Sequence, residues 1–483
     1  GTPADVGAFS IAGLPPAAWG VVVDSGTLMP NISWQYADTS ETSSQTGFEI
    51  EVGLDQDWTV AELWTSGQVE SGAAAAYSGS PLADRGLYYY RIRLQNAVGW
   101  GSWREGFFAP HVAATHTIRV PDDLPTIQQA IFAAANGDTV EVAAGIYTGE
   151  FNRDINFYGR QVTLHAPAGQ DSTALDLDAT ESDPHHGFTL RNGEGKGVEI
   201  NGFTIMNGYI RSGAYGAGIV KCEGTAPAIR NCRIVGNQAR GITLSERDTL
   251  PDTLLLSGCD ISGNVFTGVS AHGGDVWIDS CRISNSGGDG LFLEWSSGGI
   301  VTRSAFAGND GAGIVYMPMM VARPFVVANC TFVGNGTGLR STWDWAKSAL
   351  EIGRGGDTIT IIRNIFAGNQ SNGLICSSPF DHIVTCNDFH QNVDADFAFS
   401  AVALDTTGNI RLDPKFCEAD AGNYRLGDMS PCLPEYNPCG QLIGAYAQSC
   451  TCCQVMGDFL HDGGLNVSDL TAFVNFLFKG GIP

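Results

Sequence analysis

The sequence predicts an all-β protein whose central part, from about Thr117 to Tyr446, is a right-handed parallel β-helix. Three observations predict it: 62 glycines with only 16% charged residues, a recurrent apolar string, and an asparagine and a glycine at fixed places after that string. Many tight turns and few charges are typical of β-rich chains. A β-sandwich is expected before this solenoid, and a short calcium-loop and helix segment after it.

The recurrent string has the length of a short strand. It occurs between Phe203 and Asn392 as FTIMNG, CRIVGN, CDISGN, CRISNS, SAFAGN, CTFVGN, NIFAGN and NDFHQN. Its apolar third position is Ile205, Ile234, Ile261, Ile283, Phe306, Phe332, Phe366 and Phe389. This position returns after about 26 residues on average, a period typical of solenoid coils. Stacked coils should then rise about 4.8 Å each, the distance between hydrogen-bonded strands.

Two further positions repeat after the string. An asparagine recurs at Asn237, Asn264, Asn309, Asn335, Asn369 and Asn392. A glycine and an aliphatic residue follow it, at Gly241-Ile242, Gly268-Val269, Gly290-Leu291, Gly313-Ile314, Gly338-Leu339 and Gly373-Leu374. Asparagine tolerates left-handed turns, and its amide can bond the asparagine of the next coil. We therefore expect an asparagine ladder at a turn, followed by a strand with alternating inward residues.

Cysteines occur in two different settings. Cys232, Cys259, Cys281 and Cys330 share one place in their coils, with Ser304 and Asn364 filling it elsewhere. Free cysteine packs like a small hydrophobe, so a buried thiol ladder is expected there. Cys417, Cys432, Cys439 and Cys450 lie instead in a segment rich in proline and glycine. Disulfides are expected to fasten it, chiefly Cys417 with Cys432 and Cys439 with Cys450, although four cysteines allow three pairings.

A capping helix is predicted where the solenoid begins. In DDLPTIQQAIFAAANGDTVEV the apolar residues Leu124, Ile127, Ile131 and Ala134 fall on one helical face. The segment VPDDLPTIQQAIFAAANGDTVEVAAGIYTGEFN resembles the N-terminal cap and first coil of many secreted right-handed β-helix proteins, and NYRLGDMSPCLPEYNPCGQLIGAY resembles their C-terminal ending. The resemblance implies the fold. It implies no single activity, because this scaffold serves lyases, hydrolases, esterases and adhesins alike.

Residues 1–112 are expected to form the separate β-sandwich. Phe48, Ile50 and Val52 alternate with glutamates, the pattern of a half-exposed strand. The string NISW, which contains Trp34, together with YYYRIRLQNAVGWGSW resembles a fibronectin type III domain. In such a sandwich an early tryptophan packs against a late strand that carries tyrosines.

The β-helix domain should occupy residues 113–450, and a third segment should occupy 451–483. The string GDFLHDGGLNVSDLTAFVNFLFKGGIP resembles one half of a type I dockerin. A twelve-position calcium loop beginning at Asp458 places oxygen ligands at Asp458, Asp462, Asn466 and Asp469. Leu460 stands at the third position, so one ligand is missing. An apolar helix follows, which predicts docking to another copy of the chain or to a cohesin-like protein. A tail that only caps the last coil is the alternative.

Candidate chemistry lies just beyond the glycine-aliphatic strands, where successive coils should form one outward patch. Its catalytic candidates are Glu246, His272, Glu294 and Asp344, and its carbohydrate-binding candidates are Trp295, Tyr316, Arg340, Trp343 and Trp345. Aromatic rings beside carboxylates suit the gripping of a sugar and acid/base work at its glycosidic bond. A solvated acidic surface is the alternative, because the turns of any acidic β-helix carry carboxylates.

Charge and composition restrict the function. The net charge is −25, which makes nucleic acids and polyanionic glycans poor partners. We expect no membrane span, no leader within this sequence, and a secreted, extracellular or cell-surface location, where disulfides persist. The leading hypothesis is a non-catalytic surface, adhesive or matrix-forming protein that docks or self-assembles through its terminal modules. The alternative is a carbohydrate-active enzyme, a glycoside hydrolase or polysaccharide lyase, that acts on the β-helix face.

Overall fold

The structure, a computed structural model, describes residues 16–37, 44–70, 72–112, 114–210, 218–245, 253–318, 323–337, 348–353, 359–377, 382–399 and 407–450. It confirms the predicted fold class, a parallel β-solenoid of about 12 turns preceded by antiparallel sheets. The predicted calcium loop at Asp458, Asp462, Asn466 and Asp469 lies outside these residues, as does the helix after it. Within the described ranges, no helix has the length and hydropathy needed to span a bilayer.

The N-terminal domain is a β-sandwich of two antiparallel sheets. One contains Ala17–Val23, Asn31–Ala37 and Ala74–Ala76, and the other contains Gly47–Gly53, Trp64–Thr65, Val69–Glu70, Tyr88–Asn96, Gly99–Trp100 and Arg104–Phe108. The predicted alternation is confirmed, because Phe48, Ile50 and Val52 are buried between the sheets. Trp34 packs on Phe48 from the opposite sheet, with ring centroids 4.7 Å apart.

A buried ion pair joins the sandwich to the start of the solenoid. Arg85 Nε donates to Asp138 Oδ2 at 2.6 Å, and Arg85 Nη2 donates to Asp138 Oδ1 at 3.0 Å. Asp138 also accepts the backbone N–H groups of Ala135 and His116. Burial alone would raise the pKa of Asp138, but the hydrogen bonds from Arg85 and the backbone outweigh it and hold that pKa below its usual range. The two domains are thus held together by a bidentate, fully paired contact.

The predicted capping helix is present at Ile127–Ala133. Thr126 is its N-cap, and its side-chain oxygen accepts the backbone N–H of Gln129. The apolar face covers the first coils, because Ile127 and Ile131 are fully buried in the solenoid core. The helix therefore closes the end of the interior that would otherwise be open to water.

Each solenoid coil contributes strands to three sides. Ten short strands form one sheet: Gly145–Tyr147, Thr173–Asp176, Thr204–Met206, Arg233–Val235, Asp260–Ser262, Arg282–Ser284, Ala305–Ala307, Thr331–Val333, Ile365–Ala367 and Asp388–His390. Nineteen other strands form one continuous network along the two remaining sides. Two of these, Val269–Asp279 and Leu291–Thr302, are long enough to bend from one side to the other.

We name the two remaining sides after the residues discussed below. The histidine side, which contains His272, also contains Ile155–Asn156, Phe188–Leu190, Gly218–Glu223, Arg240–Ser245, Ile314–Met317, Ser348–Ile352, Asn372–Cys376 and Phe397–Phe399. The tryptophan side, which contains Trp277, also contains Thr117–Val120, Thr139–Val142, Thr163–His165, Glu199–Asn201, Ala228–Arg230, Thr253–Ser257, Phe325–Ala328, Ile359–Ile362 and Ile383–Thr385. A small sheet of Phe416–Glu418, Asn423–Gly427 and Gln448–Cys450 follows the last coil, and single 3-10 turns lie at Gly195–Gly197 and Ala419–Ala421.

The interior follows the predicted repeat. The apolar markers from Ile205 to Phe389 pair in register along the short-strand sheet and are all buried. Phe306, Phe332, Phe366 and Phe389 stack with ring centroids 4.8 to 5.1 Å apart, close to the spacing of the strands. One coil departs from the pattern: Ile314 pairs with Leu350 on the strand Ser348–Ile352, and the predicted pair Gly338-Leu339 lies outside the described residues.

The asparagine ladder is also confirmed. Side-chain amides of successive coils bond at 3.0 Å from Asn237 to Asn264 and at 2.9 Å from Asn309 to Asn335. The ladder continues from Asn335 to Asn369 at 3.0 Å and from Asn369 to Asn392 at 2.8 Å. Each of these amides also donates to the backbone carbonyl of the apolar marker one coil earlier, so the asparagine ties its turn to the coils on both sides.

Asn309→Ala is expected to lower the free energy of unfolding by about 2 kcal/mol, because buried partners lose their hydrogen bonds. The amide of Asn309 donates to Ile283 O and Asn335 Oδ1 and accepts from the backbone N–H of Ser286. Urea unfolding measures the change. Asn31 is exposed and lies on the N-terminal sandwich, outside the ladder. An equal loss in Asn31→Ala would therefore show that the ladder itself contributes nothing.

The four in-column cysteines are buried and free, as predicted. The pairing of the terminal cysteines is wrong. Disulfides join Cys417 to Cys450 and Cys386 to Cys439, so Cys432 is a free thiol. The physical reason is position: Cys432 is buried under the last coil, 3.3 Å from a carboxylate oxygen of Asp388. Cys386, at the last turn of the solenoid, takes the expected place of Cys450 beside Cys439.

Candidate active site

The outward residues of the histidine side form two rows. Inward residues such as Val269 and Leu291 alternate with them, as the period of a strand requires. The first row is Thr243, Ser270, Phe292, Val315 and Glu351, and the second is Ser245, His272, Glu294 and Met317. Side chains two residues apart on one strand, or opposite on neighbouring strands, therefore meet on this surface.

Ser270, His272 and Glu294 form a hydrogen-bonded chain across the two rows. Ser270 Oγ lies 2.9 Å from His272 Nε2, and the other ring nitrogen, Nδ1, bonds the carboxylate of Glu294. His272 and Glu294 face each other in register on adjacent strands, whereas Ser270 precedes His272 by two residues. All three side chains are buried, which strengthens each bond because water does not compete for it.

The bonding partners fix the tautomer of the imidazole. Because Nδ1 faces a carboxylate, which only accepts, Nδ1 carries the proton and Nε2 is left to accept from Ser270 Oγ–H. Arg240 Nη1 lies 3.4 Å from the same Nε2 and brings a positive charge to it. The arrangement has the parts of an activated nucleophile: a hydroxyl, a base that can take its proton, and an acid that orients the base.

A second carboxyl group of the same surface is held in a different state. Glu351 is fully buried beside an apolar cluster of Phe292, Ala312 and Val315. Burial and, to a lesser degree, the negative charge of Asp289 raise the pKa of Glu351 to about 7. Among the described residues, its Oε2 atom has no hydrogen-bond partner. A carboxyl group in such surroundings keeps its proton near neutral pH and can donate it.

The raised pKa of Glu351 predicts how stability changes with pH. Its folded-state value, about 7, exceeds its ordinary value of 4.5, so the folded chain holds a proton that the unfolded chain releases. This contribution to stability is complete below about pH 4.5 and is lost as the pH rises through about 7. We expect the melting temperature to fall between about pH 5 and 8, and Glu351→Gln to reduce that fall. Asp388, whose pKa is raised to about 6, acts in the same direction and accounts for what remains. Parallel melting profiles for the two proteins would contradict the assignment to Glu351.

The structure brings two of the four predicted catalytic residues together, namely His272 and Glu294. Trp295 follows Glu294 directly; its side chain is 48% exposed and its backbone is left-handed, with φ of 64°. The structure does not place Tyr316 where a sugar could contact it. The side chain faces the interior, stacks on Phe325 and is fully buried. The other predicted residues lie outside the described ranges: Glu246, Arg340, Trp343, Asp344 and Trp345.

Sequence reasoning misses Ser270, Arg240 and Glu351. The signal for Ser270 is its position two residues before His272, which puts both side chains on one side of a strand. The signal for Glu351 is hidden, because its strand lacks the glycine that marks the other coils. In the part of the chain that the structure describes, no group of three or more histidine, cysteine or acidic side chains could hold a metal ion.

Sequence comparison identifies two segments. Residues 215–389 match the family described as "Right handed beta helix region", and residues 23–108 match "Rha78A-like, N-terminal immunoglobulin domain". The N-terminal sandwich is therefore immunoglobulin-like, an architecture that fibronectin type III domains share. Comparison with curated proteins finds no match.

Solved structures resemble separate parts of the chain. The α-L-rhamnosidase of Dictyoglumus thermophilum is 16% identical over 20% of this chain and 12% of its own, with a TM-score of 0.19. The rhamnosidase of Streptomyces avermitilis is 22% identical over 21% of this chain and 11% of its own, with a TM-score of 0.18. Pectate lyase Pel9A is 11% identical over 69% of this chain and 96% of its own, with a TM-score of 0.41.

This chain thus spans only about a tenth of either rhamnosidase. Its similarity in sequence lies in two segments, one like a right-handed β-helix region and one like the N-terminal immunoglobulin domain of Rha78A-like proteins.

Proposed function

We propose that the protein is a carbohydrate-active enzyme and that Ser270, His272 and Glu294 form its reacting centre. One observation carries this proposal: a serine hydroxyl, an imidazole and a carboxylate lie in one hydrogen-bonded chain on the outward side of the solenoid. Buried polar side chains need a reason, and a column of small or apolar residues would satisfy the fold here equally well. The centre favours an enzyme over the non-catalytic adhesive protein that composition and domain order predict.

The chemistry that this centre supports best is hydrolysis of an ester. Ser270 Oγ attacks the carbonyl carbon while His272 Nε2 takes its proton, and Glu294 stabilises the imidazolium that forms. The imidazolium then gives the proton to the departing sugar hydroxyl, which leaves an acyl group on Ser270. Water, deprotonated by the same imidazole, releases the acid and restores the hydroxyl. We assign to Arg240, whose Nη1 lies 3.4 Å from the same Nε2, the role of stabilising the negative charge that develops on the carbonyl oxygen.

The surface around the centre suits a polymer that carries acyl groups. The histidine side is a long wall of parallel strands, and exposed Trp295 stands directly beside Glu294. An aromatic ring at such a place can stack on a sugar ring. The net charge of −25 disfavours strongly anionic polymers. The proposed substrate is therefore a neutral polysaccharide esterified on its hydroxyl groups.

A substrate panel tests this proposal. The intact chain is incubated with acetylated xylan, acetylated glucomannan and the same polymers after chemical deacetylation, and both free acetate and new reducing ends are measured. Release of acetate from the acetylated polymers alone is the expected result. New reducing ends without acetate release would reject the ester-cleaving centre in favour of glycosidic cleavage, and no product of either kind would reject catalysis on these polymers.

Glycosidic cleavage is the second candidate, and Glu351 is the observation that favours it. A glycoside hydrolase needs a proton donor, and a buried carboxyl with a pKa of about 7 has the required protonation state. Glu294 and Glu351 lie two strands apart on the same surface, which places their Cα atoms about 12 Å apart from strand geometry. Loss of chain cleavage in Glu351→Gln, with acetate release unaffected, would assign that reaction to this residue.

We also propose that the protein works outside the cell and docks through its C-terminal segment. Two disulfides support an oxidising compartment. The sequence supports calcium-assisted docking through Asp458, Asp462, Asn466 and Asp469, to another copy of the chain or to a cohesin-like protein. Light scattering on the full chain and on a chain ending at Cys453, each with and without a chelator, tests it. An assembly state that is the same in all four conditions would contradict docking between copies.

A further inference from the structure

A cavity outside the proposed centre lies on the tryptophan side of the solenoid. It has a volume of about 500 Å³, within the range of pockets that bind small ligands. Its lining includes Leu255, Trp277, Ile300, Asp279, Thr302 and Arg303. These residues all lie within the ranges that the structure describes, and none takes part in the hydrogen bonds between Ser270, His272 and Glu294. The cavity therefore requires an account of its own.

The lining has an apolar row and a polar row, because two outward positions of the same strands contribute to it. Leu255, Trp277 and Ile300 pair in register, and two residues further on Ser257 pairs with Asp279 and Asp279 with Thr302. Trp277 is 52% exposed, so much of its indole face is open. Most large apolar side chains in the described part of the solenoid are buried, so an exposed indole that lines a concave surface points to a ligand.

The polar row is charged but paired. Arg303 Nη2 donates to Asp279 Oδ2 at 2.6 Å, and Thr302 Oγ1 donates to Asp279 Oδ1 at 2.7 Å. Arg230 Nε, at the other end, donates to Glu199 Oε2 at 3.2 Å. Burial tends to raise the pKa of Asp279, but the hydrogen bonds from Thr302 and Arg303 hold it below its usual range, so this carboxylate stays ionised. The row thus offers both donors and acceptors with no large net charge.

We infer that this cavity is a glycan-binding site for neutral pyranose units. A pyranose has an apolar C–H face, which suits the open face of Trp277, and a rim of hydroxyl groups that both donate and accept. Paired guanidinium and carboxylate groups match such hydroxyls, whereas an acidic sugar would meet Asp279 in its ionised state. The site is separate from the proposed reacting centre but close to it, because the strand Val269–Asp279 carries both His272 and Trp277. It would hold a polysaccharide on the neighbouring side of the same coils.

Binding measurements on the full chain test this site. Isothermal titration with soluble glucomannan, galactomannan, xyloglucan and polygalacturonate is carried out on the natural chain and on Trp277→Ala, Trp277→Phe and Trp19→Ala. Trp19 is the matched control, since it is 61% exposed but lies on the N-terminal sandwich. We expect Trp277→Ala to weaken binding of at least one neutral polymer by tenfold or more. Trp277→Phe should retain part of that binding, and Trp19→Ala should retain all of it.

Two controls separate this inference from others. The same titration on Ser270→Ala should show unchanged binding of the polymer. Binding in the cavity is thereby tested independently of the proposed reaction. Matching melting temperatures for Trp277→Ala and the natural chain would show that the variant is folded, and Trp277→Phe gives the readout if they differ. Equal binding by Trp277→Ala, binding of polygalacturonate alone, or no binding of any polymer by the natural chain would each overturn the inference.

Discussion

His272→Ala is expected to lower the turnover of ester cleavage by about 10⁴-fold, because the hydroxyl of Ser270 then has no base and the leaving group no acid. Acetate release from an acetylated polysaccharide measures it under saturating substrate. The Michaelis constant should change far less than turnover, since the imidazole acts on the reacting atoms and not on the bound polymer.

A neighbouring serine provides the control for that result. Ser245 pairs in register with His272 on the preceding strand, but its hydroxyl donates to Cys222 O and not to the imidazole. Ser245→Ala should therefore keep nearly full turnover, whereas Ser270→Ala should lose it to the same degree as His272→Ala. Equal, small effects of all three substitutions would place the reaction elsewhere on the chain.

Phe332→Ala is expected to destabilise the solenoid by about 3 to 5 kcal/mol, the range for deleting a buried aromatic side chain. Its ring lies between those of Phe306 and Phe366, with centroids 5.1 and 4.9 Å away, so the substitution leaves a cavity that neighbouring coils cannot fill. Urea unfolding followed by circular dichroism measures the loss.

Two substitutions calibrate the result for Phe332. Phe332→Leu retains most of the apolar volume and should cost much less. Val393→Ala, at a position 63% exposed, should stay within about 0.5 kcal/mol of the natural chain. A loss below about 1 kcal/mol in Phe332→Ala would show that the stacked rings are not a principal source of stability.

The repeat could be predicted from sequence because each coil repeats the same inward positions. Ile234, Ile261 and Ile283 stand one strand apart, as their spacing indicates. Predictions fail where a single residue or an insertion shifts the pattern. The sequence predicts an outward Tyr316, but Val315 is the outward residue of this strand, and a shift of one residue moves a side chain to the opposite face.

The candidate site could be predicted only in part. His272 and Glu294 each stand three residues after the aliphatic residue of their strands, so the repeat already places them side by side. Glu351 could not be found in this way, since the segment before it is longer than in other coils and no glycine marks its strand. The repeat does not predict the disulfide from Cys386 to Cys439 either, because 53 residues separate its ends along the chain.

Covalent labelling of Ser270 tests the central claim most directly. The intact chain is treated with a fluorophosphonate, which reacts with serine hydroxyls only when a neighbouring base activates them. Peptide mass spectrometry of the natural chain and of His272→Ala then locates and quantifies the adduct. The account predicts one dominant adduct on Ser270, lost in His272→Ala, with acetate release falling in proportion to labelling. An unlabelled Ser270 in a chain that still releases acetate would contradict it.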